Sequence, residues 1–307
     1  LYQSKWKECL EACDEVIQSG KYELFPDFRN VFLPENDNCS EIIFAIQLSI
    51  NDGSPNNENG SYGDRLLPPG GPYPVYGFLR PTQNLVNAYK TDVKGLPYND
   101  GKDVSENDYV DVRLDHTLAR PNIPFMDVQL YDWTPREASV YGPYSPKKRL
   151  VSLNSTYYSP IWPYVNALNF YVIRYADLLL WRAEAAIETG DLETGRKYIN
   201  MIRKRAGMPD IPNSETGDVL KEHYRNERKI ELAYEQHRYF DIRRWMIAPE
   251  VIKNVQGIDI RYPYGATEPN YSIIDVQERK WNDKSYLLPI YLDEMQKNDL
   301  LIQNPLY

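Results

Sequence analysis

Between residues 171 and 245 apolar positions recur at three- and four-residue spacing more regularly than anywhere else in the chain. Tyr175, Leu178, Leu179, Ala183, Ala186 and Ile187 form one helical stripe, which Gly190 ends. A second helix is predicted from about Glu193 to Ala206, with Tyr198, Ile199 and Ile202 inward. Gly207 closes it, and Pro209 forbids continuation. A third starts near Ser214–Thr216, carries Leu220, Tyr224, Ile230 and Tyr234, and runs to about Glu235. A further helical turn follows over 239–245, and Pro249 ends the helical region.

The same period appears at the start of the chain. Over residues 4–19 Trp6, Cys9, Leu10, Cys13, Val16 and Ile17 make a stripe, with Ser4 as the expected N-cap and Gly20 as the stop. Tyr22, Leu24 and Phe25 then fold back against it. Residues 41–48 (EIIFAIQL) read as a buried strand. Residues 51–77 are rich in Asn, Gly, Pro and Tyr and read as a long loop. Thr82 caps a short helix over 81–89. Residues 108–120 read as extended, and the proline-punctuated stretch to Tyr164 keeps no regular period. Residues 250–280 read as loop, 286–290 as a short strand, and the rest as a polar turn and extended tail.

Residues 186–195 supply the end of one helix, a glycine turn and the start of a second, as in a tetratricopeptide-like pair. The N-terminus supplies only a second helix, so the chain is expected to enter part-way through a helical repeat. The expected fold is mainly α: a tetratricopeptide-like helical scaffold with long irregular loops and a few short strands. It is taken as one domain over 1–307 lacking its N-terminal part. Residues 1–20 and 170–248 form the scaffold; 21–169 and 249–307 form a loop-rich, ligand-facing portion.

Composition adds an aromatic bias to this outline. The 307 residues include 26 Tyr, 6 Trp, 8 Phe and 23 Pro. That many phenols cannot all be core, because each needs a polar partner or water. The net charge of -9 argues against nucleic acid or an anionic membrane surface as partner. No apolar run is long enough to span a bilayer. Three cysteines, with Cys9 and Cys13 one helical turn apart and Cys39 alone, read as small buried hydrophobes.

Glu227, Glu231 and Glu235 share one helical face, with His223 one turn before them. Metal motifs that use such spacing are missing, so no metal or cofactor is expected. The expected role is ion pairing between packed helices, with Glu184, Glu227 and Glu231 meeting Arg182, Arg228, Arg238, Arg243 and Arg244. Asn51-Asp52-Gly53 and Asn99-Asp100-Gly101 lack the alternating ligands of a calcium loop and read as turns. With 44 acidic residues, paired carboxylates carry no signal for a glycosidase. No nucleophile elbow or phosphate-binding loop occurs, so no catalytic residue is assigned.

The loop aromatics are the better functional signal. Tyr62, Tyr73, Tyr76, Tyr131, Trp133, Tyr158 and Trp162 sit among Gly, Pro, Asn and Asp. Aromatic faces match the C–H face of a pyranose, and neighbouring polar side chains can hold its hydroxyls. Trp133, Trp162, Tyr73 and Tyr76 are the leading candidates for stacking.

Taken in order, several stretches resemble the SusD/RagB family. They are Arg174-Tyr175-Ala176-Asp177-Leu178-Leu179-Leu180 with Ala183-Glu184-Ala185, then Ile199-Asn200 with Ile202-Arg203 and Arg205-Ala206-Gly207. The run from Glu227 to Trp245 (ERKIELAYEQHRYFDIRRW) follows, then Tyr286-Leu287-Leu288-Pro289-Ile290 and Gln303-Asn304-Pro305-Leu306-Tyr307. Earlier, Pro81-Thr82 with Leu85-Val86, and Asp111-Val112-Arg113-Leu114, also fit, although the family usually has Pro where Val112 stands. It commonly has Gly where Gln236 stands, a departure that touches only a local turn. The resemblance implies a surface-exposed outer-membrane lipoprotein that binds glycans and acts with a SusC-like TonB-dependent transporter in nutrient uptake. Its lipid anchor would lie outside this segment, because Cys9 and Cys13 sit inside a helix. The alternatives are a secreted glycoside hydrolase and a protein-interaction scaffold without a sugar site.

Overall fold

The computed structural model describes residues 1–50, 60, 79–91, 109–120, 144–152, 154–159, 165–259 and 272–307. Its centre is the helix α4 (Tyr175–Glu188), which is packed on α1 (Trp6–Gln18), α5 (Leu192–Arg205) and α6 (Gly217–Glu231). Leu179, Ile199, Ile202 and Leu220 are fully buried between them, each worth about 1.5–3 kcal/mol of hydrophobic stabilisation. The turn from α4 to α5 works as the sequence suggests. Gly190 takes a φ of +90°, and the Asp191 side chain caps α5 by accepting from the Thr194 amide at 3.1 Å. Gly195 lets the helices touch. A Cβ there would lie 2.5 Å from Ile187 Cγ1 and 3.2 Å from the Ala183 carbonyl.

A strand leads into this scaffold. β1 (Ile42–Ile46) pairs antiparallel with β6 (Phe170–Arg174), with Ile42 opposite Arg174 and Ile46 opposite Phe170. Because β6 runs straight into α4, Arg174 is both the last strand residue and the helix N-cap. Between them lie α2 (Gln83–Ala88), β2 (Lys90–Thr91), β3 (Tyr109–Val110), α3 (Arg113–Thr117), β4 (Leu118–Ala119) and β5 (Ser145–Pro146). Behind β1 a second core gathers Phe28, Phe32, Val151, Leu168 and Tyr171. Thr82 caps α2 as expected, its hydroxyl accepting from the Leu85 amide.

Six local expectations are corrected. Ser4 is not the cap of α1. It adopts a φ of +55° in a turn whose amide donates to the Leu1 carbonyl, and the helix starts at Trp6 with Lys5 at the N-cap position. Residues 108–120 are not continuously extended. Asp111 accepts from the Arg113 amide at 3.0 Å and bends the chain into α3. α6 ends at Glu231 rather than Glu235, and Tyr234 and Gln236 take left-handed φ values of 64° and 68° before α7 (Arg238–Arg244). Pro249 does not end the helical region but sits in the first turn of α8 (Ala248–Val251), where its missing N–H costs nothing.

The fifth and sixth corrections concern the C-terminal part. Within 250–280, β7 (Val255–Asp259) pairs with β8 (Ser272–Gln277). Alternate residues Val255, Gly257 and Asp259 are buried. A glycine and an aspartate on the inward face disguise the alternation. Residues 286–290 form no strand: a 3-10 turn over 283–286 precedes α9 (Leu292–Lys297).

Candidate functional site

Six of the seven stacking candidates, Tyr62, Tyr73, Tyr76, Tyr131, Trp133 and Trp162, lie outside the described residues, as do both Asn-Asp-Gly turns. The seventh, Tyr158, is corrected. Its ring is 8% exposed in the second core, and its hydroxyl donates to the Val151 carbonyl at 2.9 Å. It holds the chain together and presents no face for a ligand. Among the described residues the exposed rings include Tyr2, ahead of α1, Tyr239 and Phe240 on α7, and Tyr291, just before α9, each about half exposed or more.

What the described residues bring together is charge. Glu227, Glu231 and Glu235, read from the sequence as one acidic stripe, all turn into the interior at the end of α6. Glu231 accepts from Arg113 Nη1 at 2.7 Å, from Arg174 Nη1 at 2.7 Å, and from Arg205 Nη2. Glu227 accepts from Arg113 at 2.6 Å and Arg203 at 3.3 Å. Glu235 accepts from Arg174 Nε at 2.7 Å and Lys148 Nζ at 2.5 Å. Asp111 completes the fork on Arg113, and Glu41 joins Arg174 to Arg205. Five cations thus meet five carboxylates, all of them nearly or fully buried.

Protonation follows from this pairing. Burial works against the Glu231 carboxylate, but Arg205, Arg174, Arg113 and Lys148 hold it well below the usual carboxylate range. Burial likewise opposes Glu235, and Arg174 with Lys148 brings it down to about 2. Lys148 behaves differently: burial pushes its ammonium down to about 8 against the attraction of Glu235. The guanidiniums have no such freedom. Desolvation weighs on Arg174, yet Glu235, Glu231 and Glu41 raise it well above its ordinary value.

A second cluster lies where α7 packs. Arg228 donates to Asp177 at 2.5 Å and Asp241 at 2.7 Å. Arg244 grips Glu184 through both terminal nitrogens, at 2.5 and 2.7 Å, and reaches Asp241 at 2.9 Å. The Tyr224 hydroxyl and the Trp245 indole N–H each donate to Glu184 at 2.6 Å.

Ion pairing between helices therefore holds as a principle, with most partners reassigned. Of the expected pairs, Glu184 with Arg244 forms. Arg182 instead meets Asp14 at 2.7 Å, and Arg243 donates to the Tyr286 carbonyl. Among the described residues Arg238 pairs with none of the three glutamates. The reading missed Arg113, Lys148, Arg174 and Arg205 as hubs. One signal was available: Arg174 interrupts the apolar run from Phe170 to Leu180, and a cation inside a buried run requires a buried partner.

The network also ties the ring-bearing stretches to the scaffold. Arg113 follows residues 92–108 and Lys148 follows residues 121–143, and both reach Glu231 or its carbonyl. Tyr144 adds a bond from its hydroxyl to Gln83 Oε1 at 2.8 Å. Arg113, Tyr144 and Lys148 are thus fixed points of the described chain beside residues 92–108 and 121–143.

A sequence profile of the SusD family matches residues 40–307. SusD-like protein P25 of Formosa agariphila is 25% identical over 99% of this chain and 55% of its own length. A solved SusD-like protein of Bacteroides fragilis superposes with a TM-score of 0.76 at 27% identity, over 100% of this chain and 62% of that one. Surface glycan-binding protein A of Bacteroides fluxus superposes with a TM-score of 0.64 at 25% identity, over 100% of this chain and 60% of that one. The chain thus spans a little over half the length of the relatives it matches. On the profile match, the ordered motifs and the shared fold, the chain belongs to the SusD family.

Proposed function

We propose that this chain belongs to a non-catalytic glycan-binding protein of the cell surface. It captures oligosaccharide or polysaccharide and delivers it to a SusC-like TonB-dependent transporter during nutrient uptake, as part of an outer-membrane lipoprotein. The observation that carries the reading is family membership across residues 40–307, joined to the aromatic content of residues 61–164. Trp133, Trp162, Tyr73 and Tyr76 are assigned the stacking role, with Tyr62 and Tyr131 beside them. Stacked rings bind by C–H contact, and polar neighbours orient the hydroxyls. The buried acids are not assigned to hydrolysis in this reading, because they are enclosed and already hydrogen-bonded to Arg and Lys, which leaves them no face toward a substrate.

The test is a titration of plant and host polysaccharides against the protein and its Trp133→Ala and Trp162→Ala variants. Binding is expected, weakened at least tenfold by loss of a stacking ring, an effect of about 1.4 kcal/mol. Unchanged affinity in both variants overturns the ring assignment. No retention by any glycan overturns the binding function, and release of reducing sugar overturns its non-catalytic character.

A further inference from the structure

Two thiols meet where α1 packs on α4. Cys9 and Cys13, four positions apart, share one face of α1 and lie within hydrogen-bonding reach of each other. Cys9 Sγ stands 3.9 Å from the Trp181 carbonyl oxygen, and Cys13 Sγ stands 3.8 Å from that of Leu178. Cys13 is 3% exposed, whereas Cys9 is half-buried and opens the pair to solvent. Helical neighbours at this spacing hold their Cβ atoms about 5–6 Å apart. A disulfide needs about 3.5–4.5 Å, so an intact α1 keeps the pair as a dithiol.

Packing explains the burial of Cys13 but not the group beside it. Arg182 of α4 donates through Nε to Asp14 at 2.7 Å, and its Nη1 is buried with no hydrogen-bond partner among the described residues. The Arg182 guanidinium and the Cys13 thiol feel each other's charge. A buried donor left unmade is costly, and negative charge on the sulfurs would satisfy it. The nearby Glu184 carboxylate does not serve, because Arg244, Tyr224 and Trp245 already engage it.

Thiolates select soft ions. Structural zinc and iron–sulfur clusters take four protein ligands. Among the described residues no three His, Cys, Asp or Glu side chains converge to hold a metal, and Cys39 packs on the second core. Monovalent copper is satisfied by two thiolates alone. We propose that Cys9 and Cys13 form a two-thiolate site for a monovalent copper ion, with Arg182 as its outer counter-charge. On binding, two S–H bonds break, two Cu–S bonds form and two protons pass to water. The resulting complex carries a single negative charge, which the Arg182 guanidinium neutralises. Both sulfurs belong to α1, so the ion enters past Cys9 without displacing α4.

The test supplies Cu(I) without oxygen to the whole chain, in competition with bathocuproine disulfonate, a chromogenic chelator of that ion. The native chain and its Cys39→Ala variant are expected to withhold one equivalent of copper, and Cys9→Ala to withhold none. Arg182→Gln is expected to bind about tenfold more weakly. No retention by the native chain overturns the site, as does undiminished retention by Cys9→Ala. Unchanged affinity in Arg182→Gln overturns the counter-charge. A second readout needs no variant: X-ray absorption at the copper edge of the loaded native chain. Two sulfur neighbours without nitrogen or oxygen support the proposal, and any other coordination overturns it.

Discussion

The two buried charge clusters use the same residue types and differ in their closure. Around Glu231, five cations and five carboxylates neutralise one another, and every carboxylate has two partners or a bidentate one. Around Asp177, among the described residues, the Arg228 and Arg244 guanidiniums hydrogen-bond to three carboxylates, with Arg238 facing Asp241 and an imidazole at the edge. The first cluster joins elements distant in sequence and is closed to water. The second fastens one short helix and touches solvent.

The comparison is broken most severely at Arg174. Arg174→Met leaves Glu41, Glu231 and Glu235 each short of a donor, and loss of a buried partner costs roughly 3–5 kcal/mol. Chemical denaturation is expected to show that loss as a lower midpoint with an unchanged slope.

Acid exposes the same joint next. The Glu235 carboxyl is held at about 2, below the usual carboxylate range near about 4.3. Its contribution is therefore present above the unfolded value and disappears as pH falls toward the folded one. Melting temperature is expected to drop steeply between about pH 4.5 and pH 2, and less steeply in Glu235→Gln.

Lys148→Met is expected to cost about 2 kcal/mol, less than Arg174→Met, because Arg174 still grips Glu235 through Nε and Nη2. A loss equal to that of Arg174→Met would erase the ranking of the two cations. The smallest effect is that of Tyr158→Phe, which removes one bond to the Val151 carbonyl. It is expected to lower stability by about 1 kcal/mol and to leave glycan affinity unchanged, in contrast to Trp133→Ala.

The legible part of the fold was the part whose order is local. The stripe of α4, the turn at Gly190, the start of α5 near Glu193 and the Thr82 cap each depend on residues within a few positions. The regions misread are those where distant residues decide. β7 hides because Gly257 and Asp259 stand on its inward face. α3 forms because the Asp111 side chain bonds two residues ahead, and Pro249 opens a helix as easily as it ends one. The acidic stripe was seen, and its partners were not, because Arg113, Lys148 and Arg174 reach it from other segments. Aromatic residues among Gly, Pro and Asn suggested a stacking chemistry without a geometry, and Tyr158 shows how one such ring becomes core.

Arg174 has a further consequence, in the order of folding. Its bond to Glu41 joins residues 133 positions apart, and the bond from Arg113 to Glu231 joins residues 118 apart. Loops of that length close late, after the local pairing of α4 with α5. Interactions absent from the folding transition state govern how fast the native chain opens and hardly affect how fast it forms. Removing the Arg174 guanidinium is therefore expected to quicken unfolding while leaving the refolding rate nearly unaltered, so that the joint acts as the protein's slow-release catch.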